Sequence, residues 1–146
     1  MATVTVKNID RLIHKLNKIG YMELKDKMTE ATVLLHGQAK SLAPVDTGNL
    51  AGSIRMEVKS NKQNIEGRVY TNVQYAPYVE FGTGVKGNGS YPYDIKGLKL
   101  TYHESWGGQP AQPYMYPALK NNEKYIKDLF KDGVKTKLKN SCKGGK

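Results

Sequence analysis

Three histidines, one cysteine, one glycine-rich run and a belt of tyrosines are the parts of this sequence that could do chemistry. His14, His36 and His103 stand far apart, without the four-residue spacing or neighbouring carboxylates by which a helix builds a metal site. They read as ordinary surface or partly buried histidines. His103-Glu104 beside Trp106 offers an acid and a base, but adjacent side chains diverge and no third group orients them. Cys142 is the only cysteine, so neither an intrachain disulfide nor a cysteine-based metal cluster can form within one chain. Gly82-Thr83-Gly84-Val85-Lys86-Gly87 matches the glycine pattern of a dinucleotide fingerprint and follows an apolar run at 78 to 81. That pattern works by setting a helix N-terminus behind a pyrophosphate, whereas Asn88-Gly89-Ser90-Tyr91-Pro92 continues with turn-forming residues. The sequon Asn88-Gly89-Ser90 has no role in a cytosolic chain. No catalytic, cofactor-binding or metal-ligating residue is assigned, no cofactor is expected, and no enzyme activity follows from these residues.

Binding chemistry is better supplied. Seven tyrosines, Tyr75, Tyr78, Tyr91, Tyr93, Tyr102, Tyr114 and Tyr116, fall within 42 residues together with Phe81 and Trp106. Aromatics among lysines can stack nucleobases; they can equally supply a protein interface with large contact area at low entropic cost. Tyr75, Tyr78 and Phe81 are expected in the core, and the loop aromatics Tyr91, Tyr93, Tyr102 and Trp106 at an interface. The formal charge is +10, of which +6 lies from Lys120 onward. Such an end attracts nucleic-acid phosphates or an acidic protein through a field that salt screens, unless it is simply a solvated helix face. Lys120, Lys124, Lys127 and Lys131 are its candidate contacts.

The elements that must position these groups follow from periodicity. A chain of 146 residues, 38% hydrophobic and 25% charged, is one soluble domain, expected at 1–139 with a flexible basic tail at 140–146. No apolar run is long enough for a membrane span, and the start lacks the pattern of a secretory signal, so cytosolic synthesis is expected. Residues 3 to 6 alternate as a short strand. Asn8 can cap a helix carrying Ile9, Leu12, Ile13 and Leu16, ended by Gly20. Leu24, Met28, Ala31, Leu35 and Leu42 then fall at helical spacing until Pro44 forces an end. Ile54, Met56 and Val58, then Ile65, Val69, Thr71 and Val73, alternate on either side of a polar turn at 60 to 64, implying two antiparallel strands. Residues 85 to 112 read as a long loop, with one more strand conceivable at 98 to 102; loops of that length are usually functional or mobile, which makes this stretch a candidate contact surface. From Pro117 a helix carries Leu119, Ile126, Leu129, Phe130 and Val134 on one side and lysines mostly on the other.

Three punctuated segments join these elements: Ala43-Pro44-Val45-Asp46-Thr47-Gly48-Asn49-Leu50, Tyr75-Ala76-Pro77-Tyr78-Val79-Glu80-Phe81-Gly82-Thr83, and Pro110-Ala111-Gln112-Pro113-Tyr114-Met115-Tyr116-Pro117-Ala118-Leu119. In the first, Pro44 stops a helix, Asp46 or Thr47 can accept backbone N–H bonds, Gly48 tolerates the required dihedral, and Leu50 with Ile54 anchors a short helical turn.

In order and spacing these segments resemble the tail-completion or head–tail joining proteins of long-tailed bacteriophages and prophages, over roughly residues 8 to 135. The matching turn positions are Pro44, Asp46, Thr47, Gly48, Leu50, Tyr75, Pro77, Glu80, Phe81, Gly82, Pro110, Pro113 and Pro117. Many relatives carry Phe at the position of Tyr114 and a basic residue at that of Tyr116. The resemblance implies an α+β fold, an antiparallel sheet packed against a long N-terminal helix and a C-terminal helix, similar to tail-terminator folds. It also implies a structural virion protein of the neck, a ring, commonly a hexamer, between the DNA-filled head connector and the tail tube. The implied partners are further copies of itself, the head-connector and tail-tube or tail-terminator proteins, and in transit double-stranded DNA, with no membrane. Its implied places are the host cytoplasm during assembly and then the virion neck. The alternative reading is a small basic nucleic-acid-binding module.

Overall fold

The longest apolar stripe makes the central helix. In the computed structural model, which describes residues 3–4, 20–46, 48–61 and 64–143, α1 (Tyr21–Leu42) buries Leu24, Met28, Ala31, Leu35 and Ala39 along one face. Each large side chain of that stripe contributes about 2 kcal/mol by leaving water. The helix stops as Pro44 requires: Ala43 is extended, with φ −62° and ψ 130°, and its N–H donates to Ala39 O. Leu42, expected in the stripe, is instead exposed, because the chain leaves the helix there and Ala43 turns inward in its place. Of the helix expected from Asn8 to Gly20, all but Gly20 lies outside the described residues.

Gly48, in the left-handed region at φ 74°, opens the short helix α2 (Asn49–Ser53) with no side-chain cap. Asp46 is exposed and does not cap it; Thr47 lies outside the described residues. Leu50 and Ile54 are buried, as their spacing predicted.

The sheet has three antiparallel strands in the order β1 (Thr3–Val4), β3 (Ile65–Tyr70), β2 (Arg55–Ser60). β2 and β3 form a hairpin in register from Arg55↔Tyr70 to Ser60↔Ile65, and β1 adds Thr3↔Arg68 and Val4↔Gly67. The central strand buries Ile65, Gly67 and Val69 on one face. On the edge strand β2, Met56 is exposed and Val58 only half-buried. The reason is where α1 crosses. A Cβ at Gly67 would lie 2.1 Å from Thr32 Oγ1 and 3.0 Å from Met28 Sδ, so α1 rests on the sheet at the one β3 position without a side chain.

After the sheet come two short helices, α3 (Ala76–Phe81) and α4 (Gly84–Gly87), then a long loop, then α5 (Met115–Lys143). Ile126 and Phe130 of α5 are buried in the same core as the α1 stripe, and Tyr125 Oη donates to Glu30 Oε1 across the two helices. α5 continues to Lys143, so the segment expected as a tail from 140 is helical that far. The strand conceivable at 98 to 102 does not form: Leu98 N–H donates to Ile95 O in a local turn. The fold is α+β, with α1 packed on both the sheet and α5.

Candidate assembly site

Residue spacing in α3 decides which side chains it buries. In a helix of six residues only one face can meet the core, and here it is Ala76 and Glu80. Tyr75 and Tyr78, expected in the core, are therefore 41% and 58% exposed, and Phe81 is half-buried. The charged Glu80 takes the interior place.

A buried carboxylate requires donors, and α5 supplies them. The first four N–H groups of a helix have no partner within it. Glu80 Oε2 accepts from the N–H groups of Tyr114 and Met115 at 2.8 and 2.9 Å, and Oε1 accepts from that of Tyr116 at 3.1 Å. The next residue is Pro117, which has no N–H. One side chain and one proline thus account for all four open positions. The carboxylate's charge also meets the positive end of the helix dipole. Tyr91 Oη completes the set, donating to Oε1 at 3.5 Å.

Tyrosines around this centre are held neutral. Burial, then the Glu80 charge, pushes the Tyr114 phenol up to about 12. Tyr91 moves further in the same direction for the same two reasons. Tyr102 is raised by burial while its hydroxyl donates to Phe81 O at 2.9 Å. Rings continue the network, with Phe81, Tyr91, Tyr93 and Tyr116 in successive contact at centroid separations of 5.0, 5.6 and 4.8 Å. Of the four loop aromatics, Tyr91, Tyr93 and Tyr102 are thus partly turned inward, whereas Trp106 is 60% exposed.

The backbone of the second segment is stitched to the third. Thr83 and Gln109 form an isolated antiparallel bridge with N–H to O distances of 2.8 and 3.0 Å, and Gln112 N–H donates to Val79 O. Gly82 makes this approach possible: its φ is 78°, and a Cβ there would lie 2.7 Å from Ala111 N. The first segment joins through Asn49 Nδ2, which donates to Tyr75 Oη at 3.2 Å. All three punctuated segments therefore meet in one hydrogen-bonded assembly. Beside it opens an apolar cavity of about 660 Å³, whose walls include Leu35, Val69, Val73, Ile95 and Leu119.

The remaining chemistry-bearing residues are placed elsewhere. His36 Nε2 lies 3.0 Å from Ile54 O and tethers α1 to the start of β2, while exposed His103 meets Ser105 Oγ. His14 and the Cys142 side chain lie outside the described residues. Backbone from 106 to 111 packs against Gly82 and Gly84, so the face a dinucleotide would need is taken by the chain itself. Among the described residues no cluster of three or more His, Cys, Asp or Glu could hold a metal ion, and no helix is long and apolar enough to cross a membrane. Lys120, Lys124, Lys127 and Lys131 all stand exposed on α5. Sequence reasoning singled out Glu80 only as a matching turn position and missed its capping of α5; the signal is a charged residue in the inward position of a short apolar helix.

The chain is thus an α+β fold in which three turns brace one another. The family model described as "Bacteriophage HK97-gp10, putative tail-component" matches residues 7–82, and the chain belongs to this HK97-gp10-like family. The match takes in the first punctuated segment and the second as far as Gly82; the third lies beyond it. A tail component is part of the phage particle, and that description suggests a structural role. No curated protein and no solved structure matches the chain.

Proposed function

We propose that this chain is a structural protein of the phage neck that assembles as a ring joining the DNA-filled head connector to the tail tube. Membership of a tail-component family supports the phage setting. The observation that carries the reading is how the braced segments and the backbone bonded beside them present apolar side chains. Val85 N–H donates to Trp106 O, and Gln109 Nε2 donates to Tyr78 O. This fixed backbone thereby holds Tyr78, Val85 and Trp106 out, each more than half exposed. Large aromatics offered to solvent on ordered backbone are what a subunit needs to bind its neighbours. Assembly takes place in the host cytoplasm, and the finished ring sits in the virion neck.

Antibody-gold labelling of purified particles tests this placement. Label at the head–tail junction is expected; label spread along the tube, or none on complete particles, overturns it.

A further inference from the structure

The outer face of α5 carries Lys120, Lys124, Lys127, Lys131 and Lys135 at steps of four, three, four and four residues, and all five are exposed. At 1.5 Å per residue they form a ridge about 22 Å long, turned away from the side on which Ile126 and Phe130 are buried. Glu123 at its margin pairs with Lys127 at 2.6 Å and Lys120 at 3.7 Å, and these two lysines hold its carboxyl below the usual range. Lys124, Lys131 and Lys135 make no ion pair among the described residues. Asp128 and Asp132 lie to one side of the line by the same helical geometry.

From this ridge we infer a sequence-independent binding surface for the phosphate backbone of duplex DNA. Two features favour a polyphosphate over an acidic protein. No apolar side chain interrupts the five lysines, whereas protein interfaces have an apolar, lysine-depleted core. Ammonium groups repeating every 4.5 to 6 Å, by the roughly 1.5 Å rise, also match a continuous line of charge better than a set of discrete carboxylates. Each phosphate neutralised releases bound counterions, and that release drives the affinity. The ridge belongs to a single chain, so the inference does not rest on ring formation.

The test is fluorescence anisotropy of a short duplex of arbitrary sequence with the full chain over a range of salt concentrations. The wild type is compared with Lys124→Glu/Lys131→Glu and with Lys96→Glu/Lys99→Glu. The second pair changes net charge equally on the exposed loop, and circular dichroism confirms that both variants are folded. Expected is a linear fall of log affinity with log salt. The ridge variant should lose at least tenfold, with a slope smaller by about two, near 0.9 per phosphate contact, and the loop variant much less. Equal losses from the two variants, no binding of the wild type at low salt, or tighter binding of polyglutamate than of duplex would each overturn it.

Discussion

The Glu80 carboxylate lies 2.9 Å from the backbone N–H of Met115, thirty-five residues further along the chain. With the bonds to Tyr114 and Tyr116, this contact couples the end of the second punctuated segment to the start of the C-terminal helix. It fixes where α5 begins, and with it the direction in which its lysines project. Removing the carboxylate should therefore act on the whole fold. Glu80→Ala is expected to cost about 3 kcal/mol, because three buried N–H groups lose a charged acceptor together. Glu80→Gln, which keeps one acceptor oxygen, should cost about half of that. Denaturant unfolding of the three proteins measures both values, and a wild-type midpoint for Glu80→Ala would show that the cap has no energetic role.

Gly67→Ala should destabilise the protein by about 2 kcal/mol, since its Cβ collides with Thr32 Oγ1 where α1 crosses the sheet. Thr32→Ala in the same chain removes the colliding atom and should recover part of that loss. The pair therefore predicts a favourable coupling of about 1 kcal/mol in a double-mutant cycle. Simple additivity would place the crossing elsewhere.

Two turn positions separate by structure although both belong to the same motif pattern. Gly82→Val forces a branched residue into φ 78° and against the backbone at Ala111, with an expected loss of about 3 kcal/mol. Asp46→Ala removes an exposed side chain that caps no helix, and its midpoint should stay within about 0.5 kcal/mol of wild type. Thermal melts of the two variants decide the contrast.

Alkaline pH offers a reading of the tyrosine network. The Tyr114 phenol is raised from 10.0 to about 12 in the folded chain, so between those values the folded state holds a proton that the unfolded state has released. The stability it contributes is fully present below pH 10.0 and is lost as pH rises toward 12. Ultraviolet titration of the native protein should show Tyr114 and Tyr91 among the last phenols to ionise, and Tyr114→Phe should remove one equivalent from the late phase. All ten tyrosines ionising together near their ordinary value would contradict the burial described.

Trp106 is exposed, and the bond that ties it to the fold is accepted by its backbone carbonyl, from Val85 N–H. Trp106→Ala should leave the melting temperature unchanged while lowering the yield of complete particles. A drop in melting temperature with normal particle yield would reverse that assignment, making the ring a core element.

Local patterns carried much of this fold. The stripe from Leu24 to Leu35 announced α1, Pro44 its end, the two-residue alternation the hairpin, and Pro117 the first turn of α5. What escaped were the choices made by partners distant in the chain. Tyr75 and Tyr78 look like core residues until Glu80 is seen to need the inward face of α3, and Glu80 needs it because of N–H groups 34 to 36 residues away. Nothing local in Glu80 names a backbone target. Likewise 98 to 102 has strand-like composition, but the described sheet offers it no partner strand. The candidate contacts were legible only as classes: aromatic residues were visible, yet which of them face solvent depended on the ring contacts of Tyr91 and Tyr93.

Electron microscopy of particles assembled without this protein tests the neck assignment most directly. The account predicts DNA-filled heads and finished tails that remain separate, restored to joined particles by the wild-type chain. Tails joined to filled heads in its absence would contradict it.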